Sequence, residues 1–289
     1  MDKGKELRAA LAVMGAVAGT GYASGRELVL FFAQLGRASW VGIGFAAVVF
    51  ALLTALLCRW AGTSGATGFA GACRHLLGPR TGGVAGAMHA LLMALTAAMM
   101  LRGAGEIGAL TLPVRNGFLW GAGIALVLAL LVNLARLRPL PWVGGAALAT
   151  GVLFYAALAA DPRPVRVYLP GDTQLALEGS LPAAALLALI YGALNAGMAA
   201  SIALRFSRGG ARPGRLGLLC GGALAMVLLC ANAAIARGGR QLLAQALPTV
   251  VLAARWRLAG FWLSAAFTYL CAASTLAAAL GGLAEQLRR

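Results

Sequence analysis

The stretch Gly15-Ala16-Val17-Ala18-Gly19-Thr20-Gly21-Tyr22-Ala23-Ser24-Gly25-Arg26-Glu27 decides how this chain is read. Its surroundings are apolar enough to cross a membrane. Yet it places four glycines, two aliphatic hydroxyls, a tyrosine and an Arg-Glu pair at bilayer depth. Lipid tolerates loosened backbone and charge only where protein or a water-filled cavity surrounds them. A glycine-interrupted span is a sequence pointer to a transporter site. The competing reading is that the glycines serve close helix packing, but packing does not account for Arg26 and Glu27.

Working outward, the whole chain has the character of its first span. Of its 289 residues 61% are hydrophobic and only 11% charged, where soluble domains carry about 25%. An all-α polytopic membrane protein is expected. The 24 Lys and Arg against 8 Asp and Glu do not make it a nucleic-acid binder. They lie almost entirely in short segments between apolar runs, where they set topology and meet anionic headgroups. Cys58, Cys73, Cys220, Cys230 and Cys271 are scattered, without zinc or disulfide spacing. Lys3, Lys5 and Arg8 run into a long span with no cleavable signal expected. Enzyme readings find no phosphate loop, acidic metal cluster or paired carboxylates. Gly62-Thr63-Ser64-Gly65 has no histidine at a matching depth.

At about 20 residues per crossing, eight spans are expected. They lie at about 9–35 (broken near 19–25), 40–58, 84–101, 117–134, 142–160, 182–204, 216–236 and 259–283. Phe69 to Leu77 reads as a short interfacial helix. Leu242 to Ala254 reads as a re-entrant or surface helix broken at Pro248. Residues 161–180 and Arg205 to Arg215 read as polar loops. Cytoplasmic N- and C-termini fit the positive charge through span 6. Arg237, Arg240, Arg255 and Arg257 break the rule unless their loop packs on the protein.

Span 6 carries Ile190-Tyr191-Gly192-Ala193-Leu194-Asn195-Ala196-Gly197-Met198, a second candidate interruption. It lies an odd number of crossings from span 1, so the two would run in opposite directions, as in inverted-repeat transporters. Carbonyls of Gly15, Ala18 and Gly19 would meet a cation, and amides around Gly21 to Ser24 an anion. Thr20, Tyr22 and Ser24 add hydroxyls. This suits a small zwitterion such as an amino acid. In span 8, Cys271, Ser274 and Thr275 share a helix face. They can complete an oxygen cage for sodium, although on spacing alone back-bonding of the hydroxyls to their own helix is favoured. Arg26 and Glu27 gate, carry a proton, or snorkel to the interface. Asn195 binds solute or bridges helices. His89 reads as a helix-bridging histidine, and Glu106 as a solvated group in an outer loop.

The run Gly19 to Phe32, followed by Leu35-Gly36, resembles the first helix of the YkvI-like family of bacterial membrane proteins. That family's pattern there is approximately Gly-x-Gly-Phe-Ala-Ser-Gly-Gln-Glu, then a Phe-Phe pair and a Gly. Tyr191 and Asn195 resemble its Tyr-x-x-x-Asn segment, and Ser274-Thr275 with Gly282-Leu283 its late Thr-Thr helix. The family looks like a branch of the amino acid–polyamine–organocation superfamily with the LeuT fold. The resemblance implies a LeuT-like inverted repeat with broken helices 1 and 6. Residues 1–160 would be the first repeat (spans 1–5), and 161–289 an incomplete second (spans 6–8), within one transmembrane domain. It implies a sodium site at Gly15, Ala18, Cys271, Ser274 and Thr275. It puts a small solute near Gly19, Thr20, Gly21, Tyr22, Ser24, Tyr191, Gly192 and Asn195, with Arg26 and Glu27 gating or coupling protons. The Pro248 helix would be an outer capping segment. The fold normally has ten spans, so helices 9 and 10 are expected to be absent. The expected protein is a secondary transporter of the bacterial inner membrane, driven by sodium or protons. Its partners would be a small-molecule solute and the bilayer, with no nucleic acid. The alternative is a non-transporting sensor or assembly partner on a shortened scaffold.

Overall fold

The computed structural model describes residues 3–65, 68–163, 179–207, 212–238, 240–243, 245 and 247–287. Within them the chain is helical. The first segment is α1 (Lys3–Val17), α2 (Thr20–Ser24) and α3 (Arg26–Phe31). A 3-10 turn at Ala33–Leu35 leads to α4 (Ala38–Ser64), then α5 (Phe69–Leu77). Next come α6 (Pro79–Thr111), α7 (Gly117–Leu134) and α8 (Leu140–Ala160). After them come α9 (Leu181–Ser207) and α10 (Pro213–Ala236). Two short helices, α11 (Arg240–Leu243) and α12 (Pro248–Ala253), precede a 3-10 turn at Ala254–Trp256 and the long α13 (Arg257–Leu287).

Seven helices are long and apolar enough to cross a membrane: α4, α6, α7, α8, α9, α10 and α13. This is the architecture of a multi-pass membrane protein. The expected eighth crossing is not among them. At 15 residues α1 is about 22 Å long, short of the ~30 Å hydrocarbon core. The chain then breaks twice before Phe32. Helices such as α4 and α6 are apolar on both sides. Leu52, Leu56, Leu91, Leu95 and Met99 stand exposed on them, while Phe50, Met93 and Met100 are buried. A lipid solvent requires that pattern.

Two expectations are corrected. The interruption expected in span 6 does not exist: α9 runs unbroken through Ile190 to Met198. Span 3 is longer than expected, so Glu106 lies on α6 and pairs one turn away with Arg102 at 2.9 Å, where a loop was expected. Most of the expected loop over 161–180, and Arg208 to Ala211, lie outside the described residues.

The helices pack in two groups. In one, α4 packs on α9 and α10, and α1 touches both of those. In the other, α6, α7 and α13 pack on one another. α8 lies between, against α1, α10 and α13. The α1–α8 approach is backbone on backbone. A Cβ on Gly144 would lie 2.3 Å from the Leu11 carbonyl oxygen and 2.7 Å from Gly15 Cα. Here the small-residue reading of glycine is the right one. Packing of this kind places the end of α1 in the middle of the molecule.

Candidate functional site

The first break is a change of hydrogen-bond partners. The Ala18 amide still closes on Met14 at 2.9 Å, but the Gly19 amide turns to the Val17 carbonyl at 2.8 Å. Gly15 thereby loses the donor that a continuous helix would supply. Its carbonyl accepts instead from Ser274 Oγ at 2.8 Å and Thr275 Oγ1 at 3.1 Å, both on α13. The Thr20 amide donates to Met100 Sδ of α6 at 3.2 Å. Among the described residues no backbone amide closes on the carbonyls of Ala16 or Ala18. Buried backbone groups are nearly always paired. Two buried acceptors without a backbone donor, beside a hydroxyl-capped one, make an electron-rich spot.

The expected ion-site residues therefore meet in part. Gly15, Ser274 and Thr275 are in contact, and the hydroxyls bond across to α1, not back to their own helix. Ala18 is buried at the break. Cys271 is fully buried, but α13 is continuous there, so its carbonyl remains in the helical ladder.

The second break is at Gly25, in the left-handed region at φ 80°. A Cβ there would also sit 2.6 Å from Thr249 Oγ1. The start of α12 is thus seated on the α2–α3 joint. Tyr155 of α8 ties the two together. Its hydroxyl donates to the Tyr22 carbonyl at 2.6 Å and lies 2.9 Å from Thr249 Oγ1. Sequence reading missed Tyr155, although a phenol in an apolar span usually finds a polar partner when buried. Thr249 and Met100 carried no comparable signal.

The expected solute residues each have neighbours of their own, with Tyr22 and Tyr191 in one buried cluster. Gly19 lies against Met100 and Thr275, and Thr20 lies against Gly103 of α6. The Tyr22 ring is edge-on to Tyr155 and Phe267, with its hydroxyl buried and unpartnered. Ser24 Oγ serves its own turn, donating to Gly21 and accepting from the Arg26 amide. On α9, Tyr191 packs on Phe31 and Phe32 at 5.1 and 5.0 Å. Asn195 Nδ2 donates to the Tyr191 carbonyl at 2.9 Å, and its Oδ1 is buried without a partner. Gly192 is a correction. A Cβ there would lie 3.0 Å from the Ala46 carbonyl oxygen, so it faces α4 as a packing glycine.

Arg26 is exposed, while Glu27 is half-buried and lies over Gly21. The two do not pair. At the end of α8, Asp161 accepts from the Arg163 amide and Nε, both at 3.0 Å, and from Trp256 Nε1 at 2.7 Å. The Arg163 amide bond is foremost in holding its carboxyl down at about 2. Arg255 donates to the carbonyls of Leu252, Leu158, Asp161 and Arg163. That arginine of the charge-breaking loop thus packs on the protein with its donors met by backbone carbonyls, holding the α12 segment to α8. Elsewhere, His89 Nε2 meets the Gly197 carbonyl at 3.1 Å, while its Nδ1 meets Gln286. The ring stacks on Phe69, so it joins α5, α6, α9 and α13.

Among the described residues no group of His, Cys, Asp and Glu is arranged to hold a transition metal. No protein-family model, curated protein or solved structure matches this chain.

Proposed function

We propose that the chain is a secondary active transporter of a small zwitterionic solute, such as an amino acid, coupled to a sodium or proton gradient by alternating access. The observation that carries this reading is the Gly15 carbonyl, released by the break in the first helix and met by Ser274 and Thr275 from the other packing group. A contact of this kind joins the two halves that would move against each other. In the sodium-coupled form, the ion would take oxygens of Gly15, Ala18, Ser274 and Thr275 once the two hydroxyls rotate away from the carbonyl. Its oxygen-only donor set suits a hard cation. The solute would lie along α2, with its charged ends toward the freed carbonyls and amides of the joint. The YkvI-like, LeuT-type assignment, the inverted repeat and an inner-membrane location with both termini cytoplasmic belong to the same proposal. The division into an α1–α4–α9–α10 group and an α6–α7–α13 group supports it.

The unbroken α9 favours a second reading, a non-transporting sensor or assembly partner on a transporter-like scaffold. Thermal unfolding of the purified protein separates the two. It would be run against an amino-acid and amine panel in sodium, then in potassium. A ligand of the folded state raises the midpoint by mass action. A solute shift that needs sodium, followed by gradient-driven uptake in proteoliposomes, is the expected result. A shift with no uptake would favour the sensor.

A further inference from the structure

Five carboxylates fall among the described residues, and four are engaged. Glu6 lies 3.7 Å from Arg215, Glu106 pairs with Arg102, Asp161 with Arg163 and Trp256, and Glu285 has a partner. Among the described residues Glu27 has neither hydrogen bond nor ion pair. Its place is defined by a glycine: a Cβ on Gly21 would stand 2.8 Å from Glu27 Oε2. The carboxylate therefore occupies the side-chain space that Gly21 leaves open, bridging α3 back onto α2. Phe31, one turn on, shares its face and packs on Tyr191.

No cation faces it. The elements packed on α3 are α2, the 3-10 turn after it, α9 and α10. The first two carry no charge. The arginines of α9 and α10, Arg205 and Arg215, are committed to the Arg136 carbonyl and to Glu6. The other titratable groups within electrostatic reach are the phenols of Tyr155 and Tyr191. Arg26 points to the exposed side. An ionised carboxylate in such a place has lost part of its water and gained no counter-charge, a cost that binding a proton removes.

We propose that Glu27 is a proton-binding site whose occupancy is tied to closure of the α2–α3 joint. In the arrangement described here the carboxylate takes a proton from water, forming the neutral acid over Gly21. When the joint opens, the acid meets water and returns that proton. Proton binding and joint closure then favour each other reciprocally. The proposal rests on the transporter reading for its use, but proton binding itself needs no solute.

The test is infrared titration of the purified protein, following the carboxyl C=O band across neutral pH. Three proteins are compared: wild type, E27Q and G21A. E27Q is isosteric with the proposed neutral acid and should fold. G21A keeps the carboxyl but displaces it toward water. A protonated-carboxyl band at neutral pH in wild type, lost in both variants, is expected. Absence of that band, or its persistence in E27Q, overturns the site. Thermal unfolding gives an independent reading. An unfolded Glu loses its proton near pH ~4.3. A folded state that keeps it longer loses stability as pH rises through neutrality. Wild type should show that fall and E27Q should not; parallel curves overturn the proposal. A Glu27 band without flux of any panel solute would sink the transporter reading alone. Sodium-driven flux with no band would sink the proton site alone.

Discussion

The ends of α1 and the middle of α9 look alike in sequence, each a glycine-rich apolar run with a polar side chain, yet one breaks and the other does not. The difference is the supply of substitute partners. At the α1 break, Ser274, Thr275 and Met100 are in place for the groups a helix would otherwise satisfy. At α9 the glycine is spent on approach to α4, and Asn195 bonds within its own helix. Glycine lowers the cost of a break. In a low-dielectric interior a break costs less where other groups pair part of the freed backbone, as at Gly15 and Thr20.

The largest effect should come from the joint. In G25A a left-handed backbone gains a Cβ that also meets Thr249. The two costs together are about 3 kcal/mol, read as a large fall in thermal midpoint. A tolerated alanine would mean that α12 does not seat on this joint. Next is the double variant S274A/T275A, which leaves the Gly15 carbonyl buried and unpaired at a cost of about 2 kcal/mol. Any sodium-dependent shift should vanish with it. Sodium dependence that survives would move the ion elsewhere. Y155F removes the hydroxyl shared by Tyr22 and Thr249. Since the Tyr22 carbonyl keeps the Gly25 amide at 3.1 Å, the loss should be only about 1 kcal/mol. A much larger loss would make Tyr155, not Gly25, the element that fixes the joint.

Much of this fold is legible in the sequence, because hydropathy and breakers are local. The bounds of α5 match the expected 69–77, the first break falls beside Gly19, and Pro248 opens α12 as a first-turn proline can. What was not legible depends on neighbours distant in the chain. Whether Ser274 and Thr275 bond to their own helix or across to Gly15 turns on where α1 ends in space. Spacing alone favours the wrong answer. Gly192 reads as an interruption because its sequence context is that of one, and only the approach of α4 shows why it is small. The extra turns of α6 beyond residue 101 went unread because Arg102 and Glu106 resemble loop residues. At i and i+4 they are equally an exposed helical pair.

The smallest effect, and the finest test of the comparison, is at Asn195. Its Oδ1 is buried and unpartnered, and its Nδ2 adds a bond to a carbonyl of its own helix. Such a side chain gives the fold little, so N195L, close in volume, should change stability by less than about 1 kcal/mol and can raise it. If α9 contributes to the solute site without breaking, N195L keeps the fold and loses the solute-dependent shift. If the shift survives, binding is confined to the broken first segment, and α9 is scaffold. If instead N195L unfolds readily, Asn195 holds α9 together, and the contrast between a spent and an unspent polar side chain fails at this position.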